Sequence, residues 1–130
     1  MAFHITALYA AALTLLYLGL CSRIVRLRMK YQVNLGDGGQ PELLRAIRVQ
    51  ANFVEYVPLA LILIGLLEAA GTRGWLVHLF GMALFVGRAA HAFGLSTKEG
   101  RSPGRGIGMV LTWAVMLAAA IALVVVHKLG

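Results

Sequence analysis

"RAIRVQANFVEYVPLALIL", residues 45–63, joins a charged segment directly to a long apolar one. Its first eleven residues include Arg45, Arg48 and Glu55, and its last eight carry no charge. An ionisable side chain inside a membrane costs roughly 3 kcal/mol unless protein or water surrounds it. The stretch therefore predicts a membrane helix with a polar site at one end.

The composition of the whole chain indicates an integral membrane protein. Of 130 residues, 60% are hydrophobic and 13% are charged, and the mean hydropathy is +0.81. A soluble domain of this length cannot bury so much apolar surface. Segments 3–21, 41–70, 75–95 and 106–128 are each long enough to cross a hydrocarbon core of about 30 Å. The sequence thus predicts an all-α integral membrane protein, in which residues 1–130 form a single four-helix transmembrane bundle.

The positive charge indicates how this bundle is oriented. The net charge is +7, and nine of the twelve Lys and Arg residues lie in or beside the first and third connections between spans. The positive-inside rule places these connections in the cytoplasm and both termini outside. The basic residues do not alternate with aromatic ones as they do on surfaces that stack bases. We therefore expect membrane lipids, and no nucleic acid, around the protein.

Polar residues of the second span share one face of its cytoplasmic end. At about 100° per residue, an arc of about 80° holds Arg45, Arg48, Asn52 and Glu55. Tyr56 lies at the border of this arc, and Gln50 lies on the opposite side. In the third span, Arg88 and His91 lie one turn apart at a similar depth.

Two interpretations of this polar group are open. Glu55 could pair with Arg48 or Arg88 and so only fix how the helices pack. Alternatively the group binds a ligand, because one carboxylate stands among several arginines and some guanidinium groups then lack an internal anion. Arginine suits carboxylates, and Glu55 would suit an ammonium group. A molecule with two carboxylates and one amine, as in glutathione, meets this description.

Three other features lead to further expectations. Glu68, at the outer end of the second span, is expected to be an interfacial charge or a partner of Arg73. In the fourth span, small residues at four-residue spacing allow close packing, either within the chain or between subunits: Ala114, Ala118 and Ala122. The histidines show no pairing at metal-ligand spacing, so we expect no metal site.

Four motifs resemble a known family in sequence and in order. They are "VRLRMK" at 25–30, "RVQANFVEYVP" at 48–58, "VGRAAH" at 86–91 and "RSPGR" at 101–105. Together they resemble the MAPEG superfamily, the membrane-associated proteins in eicosanoid and glutathione metabolism. The short length and the "GDGG" loop at 36–39 are most similar to its small bacterial branch, the YecN-type inner membrane proteins.

This resemblance implies a homotrimer of four-helix subunits in the inner membrane, with glutathione bound as co-substrate between neighbouring subunits. It implies that thiol activation falls to Arg105, or alternatively to Arg101. It also implies a set of glutathione-binding residues, which comprises Arg26, Lys30, Arg48, Gln50, Asn52, Glu55, Tyr56, Arg88 and His91.

The activity implied by the resemblance is that of a membrane-bound glutathione transferase or peroxidase acting on hydrophobic electrophiles in the bilayer. The chain departs from the eicosanoid enzymes of the family, since Leu95 and Gly106 stand where those enzymes have a tyrosine and a serine. A non-catalytic scaffold that binds glutathione or lipid is therefore the alternative. A small proton-coupled exporter is more remote, because the first span has no carboxylate for proton exchange.

Overall fold

The computed structural model describes residues 2–97 and 103–129. Within these ranges the chain forms four helices: α1 (His4–Tyr31), α2 (Pro41–Ala69), α3 (Gly74–Thr97) and α4 (Pro103–Leu129). Each helix includes a segment that is long and apolar enough to cross a membrane. The prediction of an all-helical bundle with four spans is confirmed.

The helix ends differ from the expected span ends where polar sequence continues the helix. α1 has 28 residues, about 42 Å of helix, and so extends well beyond residue 21. Arg26 and Lys30 are consequently helical residues at its cytoplasmic end. α4 begins at Pro103, three residues before the expected start, because proline suits the first turn of a helix. Arg105 therefore lies in the first turn of α4 and not in the connection before it.

The first connection is held to the helices on both sides. Gln32 ends α1 in the left-handed conformation, and the Arg28 guanidinium donates a hydrogen bond to the Gly36 carbonyl oxygen at 2.8 Å. The Tyr31 hydroxyl donates to the Glu42 carboxylate at 2.7 Å, which joins the end of α1 to the start of α2. These contacts set the spacing of the two helices at the cytoplasmic side.

α2 and α3 form the centre of the bundle. α1 packs against both of them, and α4 also packs against both; in the described ranges α1 and α4 do not contact each other. The main apolar core draws on all four helices and comprises Leu13, Phe53, Val57, Ala60, Ile64, Val77, Leu84 and Val115. The two outer helices therefore lie on separate flanks of the α2–α3 pair.

α3 and α4 approach each other closely at two glycines, Gly87 and Gly108. A Cβ atom added to Gly108 would lie 2.4 Å from the Gly87 carbonyl oxygen, so only glycine fits there. The approach brings Arg88, the residue after Gly87, against α4. The alanine stripe of α4 does not make this contact, because Ala114 and Ala118 are exposed while Thr112 and Ala119 are buried.

At the outer end of the bundle, Glu68 of α2 binds the first turn of α1. Its carboxylate accepts hydrogen bonds from the backbone N–H groups of Ile5 at 2.8 Å and Thr6 at 2.9 Å. The first-turn amides of a helix lack intrahelical partners and carry partial positive charge, which attracts a carboxylate. Of the two expectations for Glu68, an interfacial charge or a partner of Arg73, the structure favours the first, since the carboxylate binds the start of α1 at the outer end of the bundle.

Candidate functional site

A buried guanidinium joins three helices in the cytoplasmic half of the bundle. The Arg88 side chain of α3 is only 1% exposed. Its Nη2 donates to the Asn52 Oδ1 on α2, and its Nη1 donates to the Thr112 Oγ1 on α4 at 3.2 Å. The Thr112 hydroxyl in turn donates to the Gly108 carbonyl oxygen at 2.8 Å. We call Asn52, Arg88 and Thr112, together with the neighbouring His91, the arginine cluster.

The arginine cluster contains a positive charge and only neutral acceptors. The His91 Nδ1 lies 3.4 Å from the Arg88 Nη2, and the Met109 sulfur lies 3.8 Å from the Nη1. The Arg88 Nε is buried without a hydrogen-bond partner. Within residues 2–97 and 103–129, no carboxylate forms an ion pair with this guanidinium. A buried cation is usually compensated by an anion, so this charge sets up a positive potential at the cytoplasmic end of the bundle.

A second polar group lies on the outer surface of α2. The Arg48 Nη2 is 3.8 Å from the Glu55 Oε1, and these side chains are 54% and 53% exposed. Asn52 lies between them along the helix, one turn from each. We call Arg48, Asn52 and Glu55 the charged face. Because Arg48 and Glu55 are exposed, their ion pair does not fix the packing of helices within this chain.

Apolar side chains continue the charged face toward the outer end of α2. Leu59, Ile62 and Leu66 all have exposed side chains on this helix. Hydrocarbon can surround these residues, but it cannot solvate an ion pair. The charged face therefore requires water, a ligand or another protein surface against it.

The remaining predicted residues of α1 and α2 belong to neither group. Gln50 points the other way, and its Nε2 donates to the Tyr17 hydroxyl on α1 at 3.2 Å. Tyr56 is half-buried at the border of the charged face. Arg26 is exposed, and the Lys30 Nζ lies 3.8 Å from the Glu42 carboxylate. Arg26 and Lys30 thus stand at the cytoplasmic end of α1, apart from the arginine cluster.

The two arginines considered for thiol activation lie near the start of α4. Arg105 is exposed in the first turn of α4, three residues before Gly108, which packs against His91. Arg101 lies outside the described residues. The structure therefore brings Arg105 to the same end of the bundle as the arginine cluster.

An apolar groove runs along the bundle between α1 and α2. Its volume is about 370 Å³, and it is lined by Leu13, Tyr17, Phe53, Val57, Pro58 and their neighbours. It opens sideways along two spanning helices, so molecules dissolved in the bilayer can reach it. Tyr17, which lines this groove, also accepts the hydrogen bond from Gln50.

Sequence reasoning missed two partners in these groups, Thr112 and Tyr17. Thr112 was detectable as a hydroxyl in the middle of an otherwise apolar fourth span. Tyr17 gave no such signal, since tyrosine is common near the ends of membrane helices. In the part of the chain that the structure describes, no three His, Cys, Asp or Glu side chains gather as metal ligands would.

The fold and these groups define a four-span helical membrane protein with a charged face at its cytoplasmic end. The chain matches the MAPEG family over residues 6–125, and it belongs to that family. It is 41% identical over 118 residues to the Inner membrane protein YecN of Escherichia coli strain K12, which covers 91% of this chain and 88% of the relative. The same values hold for the YecN protein of Escherichia coli O6:H1. The chain is thus an integral inner membrane protein, and its family supports a glutathione-related membrane function.

Proposed function

We propose that this protein is a glutathione-dependent transferase or peroxidase that acts on hydrophobic electrophiles in the bilayer. The observation that carries the proposal is the exposed ion pair of Arg48 and Glu55 on the membrane-embedded helix α2. A separation of 3.8 Å is long for a charge-assisted hydrogen bond, so a ligand can give each partner a closer contact. Arg48 would bind a glutathione carboxylate, and Glu55 would bind its ammonium group.

The proposed assembly places a neighbouring subunit against the same surface, and the family resemblance makes this assembly a homotrimer. In a single chain the charged face would meet lipid, whereas a neighbouring subunit would cover it and enclose the ligand. Arg26 and Lys30, on the cytoplasmic end of α1, supply further positive charge for the second carboxylate. Tyr56 borders the charged face on α2, whereas Gln50 points toward α1 and is omitted from the direct contacts. Arg88 is omitted from the direct contacts because its side chain is almost fully buried.

Arg105 is the proposed activator of the thiol. A free thiol has a pKa of about 8.5 and is only a few per cent ionised at neutral pH. A guanidinium beside the sulfur stabilises the thiolate, and the first turn of α4 adds the partial positive charge of a helix N-terminus. The thiolate then attacks the electrophilic carbon, and the leaving group departs with the bonding electron pair.

The hydrophobic co-substrate is expected to arrive sideways through the bilayer, between α1 of one subunit and α4 of the next. The two flanks of the subunit support this route, since α1 and α4 do not contact each other within the described residues. The apolar groove between α1 and α2 provides further surface for such a molecule.

The second candidate is a scaffold that binds glutathione or lipid without catalysis. Gly106 favours it, because this exposed residue beside Arg105 offers no hydroxyl where eicosanoid enzymes of the family have a serine. Such a protein would keep the charged face and lack turnover.

Binding and turnover should be measured separately in purified protein. We would determine glutathione affinity by calorimetry, thiolate by its absorbance, and conjugation with a chloronitroarene. Glu55→Gln is expected to weaken binding roughly tenfold, because it removes the charge that faces the ammonium group. Arg105→Ala is expected to lower turnover about 100-fold with little change in affinity.

Arg73→Ala is the matched control, because Arg73 is exposed in the outer connection, far from the charged face. It should behave like the wild type in all three measurements. Binding without conjugation would establish the scaffold function instead. If the wild type neither binds glutathione nor forms thiolate, the proposed function is wrong.

A further inference from the structure

The orientation of the Asn52 amide is fixed by the residue that it contacts. A guanidinium has only donors, whereas a carboxamide has an acceptor oxygen and a donor nitrogen. Since Arg88 donates to Asn52, the oxygen of the amide must face Arg88. The Asn52 NH₂ group therefore points away from the arginine cluster, and within the described residues it has no hydrogen-bond partner.

The free NH₂ group lies in the middle of the charged face. Asn52 is one turn after Arg48 and one turn before Glu55, and its side chain is half-buried. The Arg88 guanidinium lies behind it and is 1% exposed, so a ligand on the charged face cannot contact it directly. Arg88 can nevertheless determine whether Asn52 presents a hydrogen-bond donor or an acceptor to that ligand.

We propose that Arg88 is a positioning residue that fixes Asn52 as a hydrogen-bond donor at the centre of the charged face. The site then takes a ligand that has a carbonyl or carboxylate oxygen between a carboxylate bound by Arg48 and an ammonium bound by Glu55. The peptide carbonyl next to the γ-glutamyl group of glutathione has this arrangement. The choice of glutathione rests on the proposed function, whereas the donor orientation rests on the contact between Asn52 and Arg88 alone.

The Asn52→Asp variant distinguishes a positioning role of Arg88 from a role in helix packing alone. The new carboxylate gives Arg88 the anion that it lacks, with one oxygen facing the guanidinium and the other facing the ligand. We expect the melting temperature to rise, because a neutral contact becomes an ion pair. Glutathione affinity should fall about tenfold or more, because an acceptor replaces the donor that met the ligand carbonyl. A residue that served only packing would shift both quantities in the same direction.

Three further variants complete the test. Asn52→Ala should lower both the melting temperature and the affinity, since it removes both contacts. Asn34→Asp is the matched control for the added negative charge, because Asn34 is exposed in the first connection. In an Arg88→Met background, Asn52→Asp should no longer raise the melting temperature, because the paired cation is absent.

The measurements use calorimetry with glutathione and thermal unfolding of the full chain in detergent. Opposite shifts in Asn52→Asp that depend on Arg88 would support the proposal. Wild-type affinity in Asn52→Asp, or the same melting shift with and without Arg88, would overturn it. A wild type that binds no glutathione would refute the proposed function, and the coupling of residues 52 and 88 in melting temperature would still test the contact on which the donor orientation rests.

Discussion

The two ends of this bundle each bury a charged side chain, but they satisfy it differently. At the outer end, the Glu68 carboxylate meets two backbone N–H groups at the start of α1 and is 6% exposed. At the cytoplasmic end, the Arg88 guanidinium donates to neutral acceptors on Asn52 and Thr112, and its Nε is buried without a hydrogen-bond partner. The outer contact is complete within one chain, whereas the cytoplasmic one leaves positive charge uncompensated.

This difference indicates which end carries function. A carboxylate at a helix N-terminus satisfies orphan amides and the helix dipole together, so Glu68 has a sufficient structural role. Among the described residues, the Arg88 guanidinium has no compensating anion. Beside it, the charged face presents the Asn52 donor, the Arg48 cation and the Glu55 anion to the outside of the subunit. Substitutions at the two ends should therefore affect stability and glutathione affinity differently, and three variants test this difference.

The largest effect is expected from Gly108→Ala, in the close approach behind the arginine cluster. The added methyl group would meet the Gly87 carbonyl oxygen at 2.4 Å and the His91 Cβ at 2.6 Å, so α3 and α4 must separate. Overpacking against backbone should cost about 3 kcal/mol of unfolding free energy. Thermal unfolding in detergent measures it.

Gly106→Ala is the matched control on the same helix, two residues earlier. A Cβ there would have no atom within 4 Å, and alanine favours helix over glycine. Its stability should equal or exceed that of the wild type. Equal melting temperatures for the two alanine variants would show that α3 and α4 are not in contact at Gly108.

An intermediate effect is expected from Glu68→Gln at the outer end. The amide oxygen of glutamine can replace one acceptor but carries no charge, so α1 loses one hydrogen bond and its interaction with the dipole. The expected loss is about 2 kcal/mol of unfolding free energy. Glutathione affinity should not change, because the site lies at the other end of the bundle.

Glu42→Gln provides the comparison for this loss, because Glu42 accepts from a tyrosine hydroxyl and its side chain is 36% exposed. It should cost less than Glu68→Gln. A fall in glutathione affinity for Glu68→Gln would contradict the assignment of the outer end to structure alone.

Much of the fold could be predicted from the sequence, because span length and hydropathy respond to the membrane directly. The long second helix from Pro41 and the charged face of Arg48, Asn52 and Glu55 followed from helical period. The start of α4 at Pro103 was placed too late, since a polar, glycine-rich segment was interpreted as connection. Helix propensity and capping decide that boundary more than hydropathy does.

The residues of the candidate site could be predicted from the sequence, but the contacts between them could not. Asn52 and Arg88 were both identified as ligand-binding residues, but the sequence could not show that one donates to the other. Such contacts depend on how the helices pack, here on the approach at Gly87 and Gly108. Glu68 shows the same limit, because its partners are backbone amides more than sixty residues away in the chain.

The smallest effect is expected from Thr112→Val, which removes one neutral acceptor from Arg88. The change loses two hydrogen bonds of the hydroxyl, one to the Gly108 carbonyl and one from the guanidinium. Thr14→Val is a close match, because the exposed Thr14 hydroxyl donates to the Ala10 carbonyl in the same i−4 pattern. Only Thr112→Val should destabilise the protein, by about 1 kcal/mol, since it deprives a buried cation of an acceptor. Equal unfolding curves would mean that Arg88 does not depend on α4, and the arginine cluster would then reduce to its contact with α2.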